Sequence, residues 1–138
     1  MKVVLVKKES IERCIAEIRL YRSLPVGPPI PEHLVFNGIR SNLQIMAEQA
    51  IDIANHVIRK KKLGFPTDSP DSFEKLRKAG VIDDDLAQKM KGMVGFRNIL
   101  VHDYTTLDQK IFEDVITNHL DDVLDFTNQV LKYLDSHP

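Results

Sequence analysis

One uninterrupted stretch, residues 32–62, most constrains how this chain can fold. A proline-rich break over residues 24–31 precedes it, and a Gly/Pro-rich break over residues 64–70 follows it. At about 100° per residue, eight of its apolar residues fall within about 60° of Phe36. They are Ile39, Leu43, Ala47, Ala50, Ile51, Ala54, Val57 and Ile58. We therefore predict one amphipathic helix on the order of 45 Å long.

The segment before the first break also repeats apolar residues at helical spacing. Those residues are Ile11, Cys14, Ile15, Ile18 and Tyr21. The pattern predicts a helix over about residues 4–22. Its beginning is open to two alternatives, a helix capped at Ser10 or a short strand over residues 3–6.

Three more helical segments follow the second break. A short helix over Ser72–Lys78 is stopped by Gly80. Another begins within residues 81–85, whose aspartates suit a helix N-terminus, and runs to about Val101. The last covers about residues 107–134, and its wide apolar face predicts packing on the bundle and on a second subunit.

These segments leave no convincing run of alternating strand residues. We therefore predict an all-α fold, an up-and-down four-helix bundle with an additional short helix. The chain has 138 residues, which is enough to bury one core, so we expect a single domain over residues 1–138.

Composition limits the partners and the compartment. The chain has 19 Lys and Arg against 20 Asp and Glu, so it is not a general polyanion binder. Nucleic-acid contact must come from a local patch or from oligomerisation. A single cysteine, Cys14, fits a reducing cytoplasm. We see neither a signal peptide nor the roughly 20 apolar residues that a membrane span requires.

Polar groups are concentrated in residues 96–104, where Arg97, Asn98, His102 and Tyr104 occur together. Relative to Leu86, Arg97 falls at about 20°, inside the apolar face of its helix. A charge there needs a partner or a cleft. Two interpretations remain: the guanidinium reaches out to a carboxylate, or it lies in a half-buried groove and grips a phosphate.

The spacing of Arg97 and His102 raises a geometric problem. Five residues on a straight helix separate them by about 140°, whereas Asn98 and His102 share a face. The first pair can converge only if the helix ends or distorts near Val101, or if the two residues come from different subunits.

The chemistry of these groups suits phosphodiester cleavage in RNA. An imidazole can take a proton from a ribose 2′-hydroxyl or give one to a leaving oxygen. A guanidinium can stabilise the charge that develops on phosphorus. Neither step requires a metal ion or another cofactor.

The stretch from Arg97 to Tyr104 resembles the R-x4-H-x-Y motif of the HEPN superfamily, and more narrowly that of HepT-like toxins. Residues 10–14 and 52–58 resemble the same family. The resemblance implies a HEPN-like fold and a metal-independent endoribonuclease toxin that works as a homodimer. Arg97 and His102 would be catalytic, with Asn98 assisting. Tyr104 would receive AMP from an MntA-like nucleotidyltransferase antitoxin.

The remaining polar candidates have structural interpretations that we prefer. Asp52 and His56 lie four apart and fit a solvated or interface hydrogen-bonded pair better than a metal site. Residues 59–62 fit a solvated helix end better than an RNA contact, and residues 83–85 a helix cap better than a magnesium site. Cys14 fits the core, and His119 fits a packed, hydrogen-bonded position.

The sequence is therefore compatible with three functions. The motif favours an RNA-cleaving toxin. The near-neutral charge and the wide apolar face of the last helix are compatible with a non-catalytic module that binds a nucleotide or a protein. An enzyme using a metal at Asp52 and His56 is the third alternative.

Overall fold

The computed structural model describes residues 1–25, 27 and 30–138. Helix α1 covers Lys2–Ser23 and buries apolar residues of the predicted set. The alternatives for its beginning are wrong, because residues 3–6 are helical and Ser10 lies inside the helix. The predicted proline-rich break over 24–31 includes Val26, Pro28 and Pro29, which lie outside the described residues.

Helix α2 covers Glu32–Lys61 and confirms the long helix that the sequence predicts. Its buried face is slightly displaced, because Phe36 and Ile51 are only half-buried whereas Met46 and Ile53 are buried. The helix ends at Lys62, whose left-handed backbone (φ 55°) closes the last turn.

Helix α3 covers Ser69–Lys78 and begins three residues earlier than predicted. Asp68 caps it by accepting a hydrogen bond from the Asp71 amide at 2.8 Å, and Pro70 is tolerated in the first turn. Helix α4 covers Asp84–His102. Asp83 accepts a hydrogen bond from the Leu86 amide at 2.8 Å, which confirms the helix-cap interpretation of residues 83–85.

The last predicted helix is divided in the structure. Helix α5 covers Gln109–Asp114, a π-helical turn covers Val115–His119, and helix α6 covers Leu120–Ser136. The prediction of one continuous helix over 107–134 is wrong at this point. The segment begins at Gln109, two residues later than predicted, and Asp108 caps it. A π turn cannot be recognised from apolar spacing alone.

Helices α1, α2, α4 and α6 form the up-and-down bundle, and α3 is the additional short helix. The direction of the long helices follows from their contacts. Lys7 of α1 meets Asp52 of α2, whereas Tyr21 lies against Gly38, so the two helices run antiparallel. Gly38 is needed there, since an added Cβ would lie 2.4 Å from Cζ of Tyr21.

The core is one cluster of apolar side chains drawn from all of these helices. At its centre Phe73 of α3 and Phe126 of α6 meet edge to face, with ring centroids 5.3 Å apart. Cys14 is buried in this cluster, as predicted. The predicted all-α fold is confirmed. In the described ranges, no helix combines the length and apolarity needed to cross a membrane.

Candidate functional site

Arg97 lies on α4 facing α2, with 25% of its side chain exposed. Its Nη2 donates to Oε1 of Glu48 at 3.0 Å, and its Nη1 donates to Oδ1 of Asn98 at 3.1 Å. The buried Nε has no partner among the residues that the structure describes. The guanidinium therefore reaches a carboxylate, as one interpretation required, and a quarter of the side chain remains accessible to a ligand.

A cavity of about 300 Å³ begins beside Arg97. Its walls are mainly apolar and come from α2, α4 and the segment around the π turn, with Met46, Met90 and Phe96 among them. Lys89 and His119 line it together with Arg97. Asp114 and Asp122 also line it, so Arg97 borders a half-buried groove of mixed charge, and its grip on a phosphate stays a prediction.

His102 is the last residue of α4 and is exposed. The Asp103 amide still donates to the Ile99 carbonyl at 2.9 Å, so helical bonding continues through His102. The helix ends close to the predicted position but too late to redirect this side chain. Arg97 and His102 thus remain about 140° apart around one helix, and His102 does not line the Arg97 cavity. One protomer does not bring the two together.

Tyr104 begins a short 3₁₀ turn, Tyr104–Thr106, and is 48% exposed. The guanidinium of Arg40 stacks on its ring, with Cζ 4.3 Å from the ring centroid. Nη1 of Arg40 also donates to the Leu100 carbonyl at 3.3 Å. Arg40 thus connects α2 to the end of α4 and restricts the position of the tyrosine.

Sequence reasoning missed Arg40 and Glu48. Arg40 carried a usable signal, because it falls about 40° from Phe36, inside the apolar face of α2. A charged residue inside an apolar face was what drew attention to Arg97. Glu48 falls about 120° from Phe36, outside that face, and gave no such signal.

The predicted pair of Asp52 and His56 is not joined in the structure. Asp52 is exposed and pairs instead with Nζ of Lys7 at 3.4 Å, in agreement with the solvated interpretation. Burial, followed by nearby positive charges that include Lys60 and Arg59, lowers the pKa of His56. Across residues 1–25, 27 and 30–138, no group of three or more His, Cys, Asp or Glu side chains is arranged to hold a metal ion.

His119 is hydrogen-bonded, as predicted, but it is not buried. Its side chain is 43% exposed, since the π turn places it beside two carboxylates rather than in the core. Nδ1 lies 2.8 Å from Oδ2 of Asp122, and Nε2 lies 3.0 Å from Oδ2 of Asp114. The pKa of His119 is raised, mainly because of its hydrogen bond with Asp122.

The chain is similar in sequence to known nucleases. The model of the HepT-like family, whose description is "Ribonuclease HepT-like", matches residues 11–130. The mRNA nuclease HepT of Shewanella oneidensis is 36% identical over 129 residues, which cover 93% of this chain and 96% of that protein. The tRNA nuclease HepT of Aphanizomenon flos-aquae is 30% identical over 92 residues, covering 67% of this chain and 63% of that protein.

Solved structures agree with the sequence comparison. A tri-AMPylated Shewanella oneidensis HEPN toxin in complex with MNT antitoxin superposes with a TM-score of 0.86 at 34% identity, covering 96% of this chain and 98% of that one. A toxin–antitoxin crystallised with AMP-PNP superposes with a TM-score of 0.87 at 33% identity, covering 96% and 99%. The fold and the sequence lead to the same conclusion: this chain belongs to the HepT-like ribonuclease family.

Proposed function

We propose that this chain is the toxin of a toxin–antitoxin pair, a single-domain, metal-independent endoribonuclease that acts as a homodimer. The observation that carries the proposal is the position of the R-x4-H-x-Y motif. It occupies the end of α4, with Arg97 at a cavity and His102 exposed on another side of the helix. Membership of a ribonuclease family supports the choice of RNA as substrate.

Arg97 is suited to binding the scissile phosphate. Its guanidinium is held by Glu48 and Asn98, so its orientation is fixed before a ligand arrives. Nη1 and Nη2 each carry a second hydrogen besides the one given to Asn98 or Glu48, and a phosphate oxygen can accept these where the side chain is exposed, so that charge developing on phosphorus would be stabilised there. Asn98, whose Oδ1 already binds Arg97, assists by keeping the guanidinium in place.

His102 is suited to proton transfer. Its exposed imidazole can take the proton of a ribose 2′-hydroxyl as that oxygen attacks phosphorus, or protonate the 5′-oxygen that leaves. Both roles need the ring to reach the phosphate that Arg97 holds. Because the two residues lie on different sides of α4, we infer that each active site combines Arg97 of one protomer with His102 of its partner.

The first experiment measures cleavage of RNA by purified protein in EDTA. Wild type should cleave, and Arg97→Ala and His102→Ala should each lose activity while the unfolding transition is retained. Equal cleavage by all three proteins would contradict the proposal. Absence of cleavage by wild type, with retained binding of a nucleotide or a protein, would favour the non-catalytic module.

Mixing the two inactive variants tests the shared site. After subunit exchange, about half of the dimers are mixed, and each mixed dimer rebuilds one of its two sites from intact residues. We expect about a quarter of the wild-type rate. No recovery, with exchange demonstrated by mass spectrometry, would place both residues in one protomer's site.

The toxin is neutralised by an MntA-like nucleotidyltransferase that transfers AMP from ATP to the Tyr104 oxygen and releases pyrophosphate. The exposure of Tyr104 and its place next to His102 support this part of the proposal. AMP there would add a bulky anion beside the cleft and keep RNA out. Coexpression with an active partner should add the mass of one or more AMP units, and Tyr104→Phe should abolish the gain. Unchanged mass of wild type would contradict it.

A further inference from the structure

Phe65 is the most exposed of the large apolar side chains described, at 94% of its full accessible area. Its backbone is nevertheless restricted on both sides. Lys62 and Gly64 on one side have positive φ, and the Leu63 amide donates to the Ile58 carbonyl at 3.0 Å. Pro66 on the other side restricts the backbone further. The loop therefore presents the aromatic ring to solvent instead of folding it onto the core.

The ring lies at the edge of a groove of about 600 Å³ at the C-terminal end of α2. Arg59 and Lys62 line this groove with Asn55, and its lining includes no Asp or Glu. Arg59, Lys60 and Lys62 are exposed, and none of the three forms an ion pair within the described part of the chain. Among the residues described, the groove thus combines an aromatic face with positive charge that no carboxylate neutralises.

We propose that this groove binds single-stranded RNA, with a base stacked on Phe65 and the adjoining phosphates held by Arg59 and Lys62. A solvent-facing aromatic ring beside unpaired cations is the arrangement that binds single strands without reading their sequence. The chain as a whole has a net charge of −1, so this local patch supplies phosphate attraction that the overall charge does not.

The groove is separate from the candidate active site. Lys62 lies 14 positions along α2 from Glu48, the partner of Arg97, which corresponds to roughly 21 Å of helix. The groove would therefore hold nucleotides that lie several positions along the RNA from the bond that is cut. The inference rests on the proposed function for its choice of RNA, and it predicts a contact that affects substrate binding and leaves the chemical step unchanged.

The chain contains no tryptophan, so Phe65→Trp creates a unique fluorescent probe. The variant is made in a His102→Ala background so that the RNA stays intact, and a single-stranded oligouridine is added. We expect the tryptophan emission to be quenched as a base stacks on it. Leu20→Trp is the matched control. Leu20 is 62% exposed, but the neighbouring Arg19 and Arg22 pair with Asp121 and Glu113. No quenching is expected there.

Binding constants give the second measurement. Phe65→Ala should weaken oligouridine binding about 5- to 150-fold, because one stacked base is lost. Arg59→Gln combined with Lys62→Asn should reduce the salt dependence, by about 0.7 in the slope of log K against log salt for each phosphate contact removed. Asn is chosen at position 62 because it tolerates the left-handed backbone.

Cleavage assays separate this inference from the proposed function. Phe65→Ala in an otherwise wild-type chain should raise KM for a long RNA and leave kcat, and the cleavage of very short RNAs, unchanged. Equal quenching at positions 65 and 20, or an RNA affinity of Phe65→Ala equal to that of its parent, would overturn the inference. Quenching at Phe65→Trp without any wild-type cleavage would support it and contradict the proposed function.

Discussion

The two ends of α4 are built in different ways. At the N-terminal end, Asp83 caps the helix and also accepts from Nε2 of Gln129 at 2.8 Å, while Val81 and Ile82 are buried just before it. From the middle of the helix to its C-terminal end, Gly92 and Gly95 have open space around them, and His102 is exposed.

The difference distinguishes an end of α4 that is fixed within the protomer from an end whose polar groups remain accessible. Hydrogen-bonding groups at the N-terminal end are satisfied by the protomer itself, which fixes the helix on α6. Towards the C-terminal end Arg97 is partly exposed, and His102 and Tyr104 face solvent. Groups that are not needed for folding are the groups available to a substrate or a second subunit.

The largest expected effect comes from comparing one substitution at each end of α4. His102→Ala should reduce RNA cleavage about 10²- to 10⁴-fold, the usual contribution of a general acid or base. Its free energy of unfolding should change by less than about 0.5 kcal/mol, because the side chain is exposed.

Asp83→Ala should do the opposite, lowering the free energy of unfolding by about 1–2 kcal/mol through loss of the cap. The folded fraction should keep its activity. Denaturant unfolding and initial cleavage rates measure both quantities. A folded Asp83→Ala protein as inactive as His102→Ala would show that the two ends are not separate.

The glycines of α4 provide a test of intermediate size. A Cβ added at Gly92 or Gly95 meets nothing within 4 Å, so Ala should raise the free energy of unfolding by about 0.5–1 kcal/mol at each position. Gly38→Ala is the control, and it should destabilise because Tyr21 occupies the space. Thermal unfolding and sedimentation distinguish the outcomes. Weaker self-association of the Gly92 or Gly95 variant would identify this face as a subunit contact.

The smallest effect concerns the ion pairs that Glu74 of α3 forms with Arg77 and with Lys91 of α4. Hydrogen bonds from Arg77 and Lys91 hold the pKa of Glu74 well below its usual value near 4.5. A lowered folded-state pKa contributes stability above about pH 4.5, and that stability is lost as the pH falls. Glu74→Gln should therefore flatten the decline of Tm between about pH 5 and pH 3. Glu12→Gln, which removes an exposed carboxylate of α1, should leave the decline unchanged.

Much of the site could be predicted because its signals are local. The charge of Arg97 inside an apolar face and the five-residue spacing to His102 were both visible in the sequence. Arg40, which lies inside the apolar face of α2, meets the same criterion. The pairing of Arg97 with Glu48 joins two helices, 49 positions apart, and nothing in either helix alone indicates it.

The sequence by itself determined the helical segments, though not the division of the last one, since caps, breaks and apolar spacing act over a few residues. It also determined that Arg97 and His102 cannot meet on one straight helix. Only the tertiary structure decided what the side chains of those helices meet. It placed Glu48 beside Arg97 and Arg40 over Tyr104, put a π turn at His119 and left Phe65 in solvent next to unpaired cations. Those contacts depend on how distant helices pack together, and local periodicity does not encode that arrangement.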